Sequence, residues 1–210
     1  MRSLFTLLVA FALAATPSLA AEYREAFDEG RDPAQIMAGT LLIGDDGVWN
    51  GSLEGGAYRL SNSAKDGAVR FYHFGFPSQS AASGTAGRTE VAVDVAGQFD
   101  GQVAGAGLLY QFDRQARTYY AFVVMKDGAY SLFQRSAEGL RRVAAGSNAV
   151  IKSDGVNSLL ARLQDGKAEL YVNDTRVVGH STDPSAAGDA GIIAIDRGAY
   201  RFDNFRLSVE

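Results

Sequence analysis

Four dipeptides, Gly55-Gly56, Asp127-Gly128, Asp165-Gly166 and Asn173-Asp174, each stand between two short runs of β-branched and aromatic residues. Gly, Asn and Asp accept the positive φ angles that a tight hairpin turn demands, so each pair is read as a chain reversal. The flanking runs must then lie antiparallel to one another. The same rhythm continues along the chain, with 24 glycines, 4 prolines and no long apolar stripe of helical period. Strands are expected at Tyr23–Phe27, Val48–Leu53, Ala57–Ser61, Ala68–Phe74, Thr89–Val95, Gly107–Phe112, Tyr119–Met125, Tyr130–Arg135 and Leu140–Ala144. Further strands follow at Asn157–Leu163, Lys167–Val172, Thr175–Val178, Gly191–Ile195 and Tyr200–Val209. Ala34–Leu42 has room for one turn of helix, against which Gly39 and the β-rich run after it both speak. Many short strands without intervening helices predict an all-β fold, a sandwich or barrel.

Alternation assigns faces. In Thr89–Val95, Val91, Val93 and Val95 share one side while Arg88, Glu90 and Asp94 share the other. In Lys167–Asn173, Ala168, Leu170 and Val172 oppose Glu169, Tyr171 and Asn173. Strands with one apolar and one polar side belong to sheets packed on one face and wet on the other.

Residues 1–20 stand apart from this pattern. Arg2 supplies a positive start, Leu4–Ala15 is an apolar run, Pro17 breaks it, and Ser18-Leu19-Ala20 carries small residues where a signal peptidase cuts. A cleaved signal peptide, 1–20, is expected, followed by one domain over 21–210. The run is shorter than the ~20 residues a spanning helix needs. The implied location is periplasmic or secreted, and the domain is taken as a monomer by default. A formal net charge of −4 and no basic cluster speak against nucleic acid as a partner. The absence of cysteine excludes thiol catalysis, disulfide exchange and thiolate metal sites. The two histidines, His73 and His180, are expected to be structural and solvated respectively, and Trp49 to be a core or lid residue.

Gly107-Leu108-Leu109-Tyr110-Gln111, Tyr119-Tyr120-Ala121-Phe122 and Asp127-Gly128-Ala129-Tyr130-Ser131-Leu132 resemble the central meander of concanavalin A-like lectin/glucanase domains. Ala168-Glu169-Leu170-Tyr171-Val172-Asn173, Gly188-Asp189-Ala190-Gly191-Ile192-Ile193 and Phe202-Asp203-Asn204-Phe205-Arg206 resemble the C-terminal half of the same group. The resemblance spans most of residues 21–210 and implies a two-sheet antiparallel jelly-roll sandwich. Its motifs are turns and core positions, which identify a fold and not an activity. Lectins, laminin-G-like modules, glucan hydrolases, polysaccharide lyases and sugar-binding modules share it, with sugars lying on the concave sheet face.

A glycosidase of this kind needs two carboxylates about 5–5.5 Å apart for retention and further apart for inversion. Laminarinase-type members carry Glu-x-Asp-x-x-Glu on one strand. Here Glu90 and Asp94 share a face at about 13 Å, and Ala92 stands where the middle acid would be. Arg88-Thr89-Glu90 resembles a strand motif of some alginate lyases, without the motifs that accompany it there. A cross-strand ion pair is the simpler reading. A non-catalytic lectin-like module is therefore the expectation, binding a polysaccharide or glycan. Hydrolase or lyase activity, and an envelope protein–protein module using the Gln79–Gly87 and Thr182–Gly188 loops, are the alternatives. Sugars stack on aromatic rings and hydrogen-bond to planar polar groups. Alternation supplies Arg88, Glu90, Gln111, Tyr119 and Arg135 as one groove lining. A structural calcium tying the terminal strands through Asp28 and Asp203 is the one cofactor implied.

Overall fold

The computed structural model describes residues 21–37, 40–75, 87–183 and 188–210. The expected signal peptide and most of the two candidate docking loops lie outside these residues. Fifteen strands are described: β1 Ala21–Glu25, β2 Gly44–Asp45, β3 Asn50–Leu53, β4 Tyr58–Asn62, β5 Val69–Phe74, β6 Thr89–Phe99, β7 Gly105–Asp113 and β8 Thr118–Met125. They continue with β9 Ala129–Ser136, β10 Gly139–Ser147, β11 Asn157–Gln164, β12 Lys167–Val172, β13 Thr175–Ser181, β14 Asp189–Ile195 and β15 Gly198–Val209. All four dipeptides turn as expected, with both residues of each at φ between 49° and 70°. Near the segment with room for a helical turn, 34–42, of which residues 38 and 39 lie outside the described residues, the chain makes a 3-10 turn at Pro33–Gln35, capped by Asp32 accepting from the Ala34 N–H at 3.0 Å.

Two antiparallel sheets result. The nine-stranded sheet runs β13-β12-β11-β6-β15-β4-β3-β2, and the six-stranded sheet runs β10-β9-β8-β7-β14-β5. β1 also joins the larger sheet. A register shift between Asp203 and Arg206 divides β15, so that Gly198–Phe202 pairs with β4 and Phe205–Val209 pairs with β1 along the same edge. Val91, Val93, Val95, Leu159, Leu170 and Phe202 from one sheet pack against Leu108, Tyr110, Phe122, Val124, Leu132 and Ile192 from the other. Each such Val or Leu contributes about 1.5–3 kcal/mol, which makes a one-residue slip prohibitive. Trp49 is part of this core, 3% exposed and tilted against Tyr200.

Three links between the sheets meet at one residue. Asp196, between β14 and β15, is 3% exposed and sits at φ 68°. Its Oδ1 accepts from the Gly67 N–H on the β4–β5 link at 2.9 Å, and its Oδ2 accepts from the Val103 N–H on the β6–β7 link at 3.1 Å. Asn62 Nδ2 and the Tyr200 hydroxyl donate to its carbonyl at 3.2 and 3.3 Å. Burial pushes the carboxyl up, but its amide partners more than offset that and hold it below the ordinary aspartate value.

Candidate functional site

The proposed groove lining divides between the two sheets. Arg88 and Glu90 lie at the start of β6 in the nine-stranded sheet, while Gln111, Tyr119 and Arg135 belong to β7, β8 and β9 of the six-stranded sheet. Their polar faces are outward on opposite sides of the sandwich, so the five do not form one surface. The reason is topological. The chain changes sheets between β6 and β7, and alternation reports the face of a strand but not the sheet it joins.

Gln111 departs further. It sits at φ 51° inside the register shift between Tyr110 and Asp113, and its Nε2 donates to the Asp183 carbonyl at 3.0 Å. The bulge turns it toward the edge of the other sheet. Arg88 and Glu90 form an ion pair, and Glu90 also accepts from Arg162 Nε at 2.9 Å. Burial raises the Glu90 carboxyl, and the arginines outweigh it, leaving it below the ordinary glutamate range. Asp94 accepts from the Ser158 hydroxyl at 2.5 Å and from Asn204 Nδ2 at 2.9 Å.

The calcium reading finds no cluster to support it. Both Asp203 oxygens are engaged, by Arg201 Nη2 at 2.9 Å and by the Asn204 N–H at 2.7 Å. Among the described residues, no group of three or more His, Asp or Glu gathers around Asp28 and Asp203 or elsewhere. Calcium requires six to eight oxygens, which two carboxylates on an exposed turn and a paired strand do not approach.

The six-stranded sheet does bring Tyr119 and Arg135 together. They are direct cross-strand partners; Tyr119 then packs on Phe112, ring centroids 6.2 Å apart, across the register shift between β8 and β7, and Phe112 pairs with Asp189 on β14. The outer face therefore reads Arg135, Tyr119, Phe112, Asp189 across β9, β8, β7 and β14. Gly75 lies beyond, where a Cβ would collide with the Asp189 carboxylate. Phe71 and His73 from β5 complete the rings: Phe71–Tyr119 centroids are 5.4 Å apart, Phe71–Phe112 5.2 Å and His73–Phe112 4.7 Å. On the opposite flank Arg142 stands 5.5 Å over the Phe133 ring. These rings belong to an apolar cluster separate from the main core, with Leu109, Ala121, Val123 and Ile193 among its members.

Charge on this face is paired at one end and open at the other. Asp189 Oδ2 lies 2.6 Å from His73 Nδ1 and 2.5 Å from Arg114 Nε. Burial raises this carboxyl, but His73 and Arg114 prevail and hold it below the usual aspartate range. Arg135 is exposed and has no ion pair among the described residues. Burial pushes the Tyr119 phenol up, against the pull of Arg135, so it stays protonated at neutral pH. The strands that carry Phe71, His73 and Phe133 were legible from sequence, but these residues were not singled out for the site. Their gathering with Phe112 and Asp189 depends on β14 lying between β5 and β7.

His180, expected to be solvated, is half-buried in β13. Its Nδ1 donates to the Ser181 carbonyl at 2.9 Å, so its Nε2 accepts from the Tyr110 hydroxyl at 2.6 Å and ties the sheets together. Burial lowers its pKa and keeps it neutral.

No family model matches the chain, and no curated protein matches it. Solved structures do. A carbohydrate-binding module, CBM66, from Bacillus subtilis superposes with a TM-score of 0.55 at 17% identity, over 77% of this chain and 91% of that one. A Bacillus subtilis protein of unknown function with a galectin-like fold gives 0.57 at 13% identity, over 90% and 96%. A xylan β-1,4-xylosidase from Bacillus halodurans gives 0.60 at 14% identity, over 95% of this chain but 40% of that one. At these identities the likeness speaks to architecture, and with the two antiparallel sheets it establishes a concanavalin A-like, galectin-like β-sandwich.

Proposed function

We propose that the protein is an exported, non-catalytic carbohydrate-binding module that holds a saccharide on the outer face of its six-stranded sheet. The carrying observation is the row Arg135–Tyr119–Phe112–Asp189, with charge at both ends and, between them, two packed rings that expose 8% and 7% of their residues' surface. Pyranose rings expose C–H faces that pack on aromatics, and vicinal hydroxyls suit the fork of an arginine at one end and a carboxylate at the other. Membership of a fold that includes a carbohydrate-binding module supports the same reading. The apolar run at 1–20 supports export, and among the described residues no helix is long and apolar enough to cross a membrane.

A glycan array identifies a ligand, and calorimetry with that ligand tests the site. Tyr119→Ala and Arg135→Ala are each expected to weaken binding by roughly tenfold or more, since a charge-assisted hydrogen bond or a ring contact contributes on the order of 1–3 kcal/mol. Arg59→Ala, on the other sheet, should change nothing. Recovering the oligosaccharide uncleaved after prolonged incubation supports the non-catalytic role, and a shortened product overturns it. Unaltered affinity in both row variants would remove the site.

A further inference from the structure

The opposite side of the molecule carries a constellation that the six-stranded face does not use. A groove of about 520 Å³ runs over the end of β11, β12 and β13, lined by Arg162, Gln164, Asp165, Lys167, Glu169, Arg176 and Ser181 among others. Its volume lies within the range of about 300–1,000 Å³ typical of small-molecule sites.

The groove is floored by one rung of the nine-stranded sheet. Glu90 pairs with Arg162, Arg162 with Glu169, and Glu169 with Gly179. Arg162 is held at three points: its Nε reaches Glu90 at 2.9 Å, its Nη1 lies 3.4 Å from the Tyr171 hydroxyl, and its Cζ stands 5.2 Å over the Tyr171 ring. Tyr171 donates in turn to Glu169 at 3.0 Å, and Glu169 receives Arg176 Nε at 3.0 Å. The Arg176 guanidinium reaches Gly179 with its Nη2, where a Cβ would sit 2.5 Å from Nη2 and 3.4 Å from Cζ. Glycine there makes room for the fork.

The charges in this lattice do not balance. Arg88, Arg162 and Arg206 share the single carboxylate of Glu90, and Arg176 takes Glu169. The groove lining itself sets Arg162, Lys167 and Arg176 against Asp165 and Glu169, a surplus of one positive charge. Lys167 at the groove wall has no ion pair among the described residues, and Arg206 Nε is buried without a hydrogen-bond partner. This surplus sits on a chain of net charge −4. Guanidinium donors fixed by neighbours lose little freedom when they bind a planar anion. Gln164, Glu169 and Ser181 add acceptors, which an inorganic anion has no hydroxyls to use.

We infer that this groove is a second binding site, for a sugar unit that bears an anionic group, its carboxylate or sulfate met by Arg162, Lys167 and Arg176. It is separate from the row on the six-stranded sheet, and it stands or falls independently of that reading.

Calorimetry on the full chain at low salt tests it, with a tetragalacturonate, a sulfated disaccharide, a neutral oligosaccharide of matched length and inorganic sulfate as probes. Binding of either sugar acid is expected, with the two arms identifying carboxylate or sulfate. Affinity should fall as salt rises. Lys167→Glu and Arg176→Gln, both at exposed positions, should each reduce affinity by roughly ten- to hundredfold, the equivalent of one lost charge-assisted contact. Tyr119→Ala should leave it unchanged. No binding of either sugar acid overturns the inference, as does equal binding of the neutral oligosaccharide or of inorganic sulfate. Loss of binding in Tyr119→Ala with retention in Lys167→Glu also overturns it, by moving the ligand to the other face.

Discussion

Replacing Asp196 by alanine removes the carboxylate that joins three inter-sheet links and leaves the Gly67 and Val103 amides without their acceptor. A hydrogen bond to a charged acceptor contributes about 1.5–3 kcal/mol, toward the lower end at part-buried amides that water can reach, so the two together cost about 3 kcal/mol. Alanine at φ 68° adds about 1–2 kcal/mol, because aspartate tolerates the left-handed region better. A total of about 4–5 kcal/mol lowers the melting temperature of a domain this size by about 8–20 °C. Asp196→Asn keeps one side-chain acceptor and the tolerance for positive φ, and should recover about half of the loss. Scanning calorimetry at neutral pH measures both. The carboxyl's depressed folded pKa gives a second readout. Its contribution is present above the unfolded aspartate pKa of about 3.9 and is lost as pH falls through the lower folded value. The wild-type advantage over Asp196→Ala should therefore shrink on acidification. An alanine variant that melts within about 3 °C of wild type, a shift worth only about 1 kcal/mol, would refute the reasoning. So would an asparagine variant as unstable as alanine.

Three further outcomes follow from local geometry. His180 is held neutral by burial, so its folded pKa lies below its unfolded one. Its contribution is complete above about pH 6.5 and declines below it, and urea unfolding at pH 8 and 5.5 should show a slope that His180→Gln flattens. Gly55 and Gly56 sit at φ 62° and 63° in the β3–β4 turn, so a double alanine variant should lose about 2–4 kcal/mol in a urea titration, or about half that if one residue relaxes. Glu25 is a buried carboxylate whose charged partner, Arg31, lies 3.2 Å away. Arg31→Ala should destabilise by about 1.5–3 kcal/mol, and Arg31→Lys by less, since lysine restores the charge but not the fork.

Strand positions and hairpin turns were legible because both are local. Asp165-Gly166 announces positive φ whatever surrounds it, and Val91, Val93 and Val95 must share a face at a period of two. Strand ends were less legible. β6 continues to Phe99 and β13 to Ser181, held by partners on β15 and β12 that no local signal reveals. Long-range register also decided His180, which reads as a turn residue but lies in a strand over Tyr110. The candidate site was legible in fragments. Tyr119 and Arg135 proved to be cross-strand partners, whereas Arg88 and Glu90 proved to be part of the arginine lattice on the other sheet.

From its residues alone the chain was bound to make short antiparallel strands with one apolar side each, since turn chemistry and side-chain alternation act within a few residues. Only the tertiary structure decided which strands share a sheet, because that depends on how the chain crosses between layers at Asp196. Those sheet partnerships set Tyr119 beside Phe112, Phe112 opposite Asp189, and four arginines around two carboxylates on the far side. Nothing in a strand's own sequence records which neighbour burial will select for it, and both candidate binding surfaces are made of such neighbours.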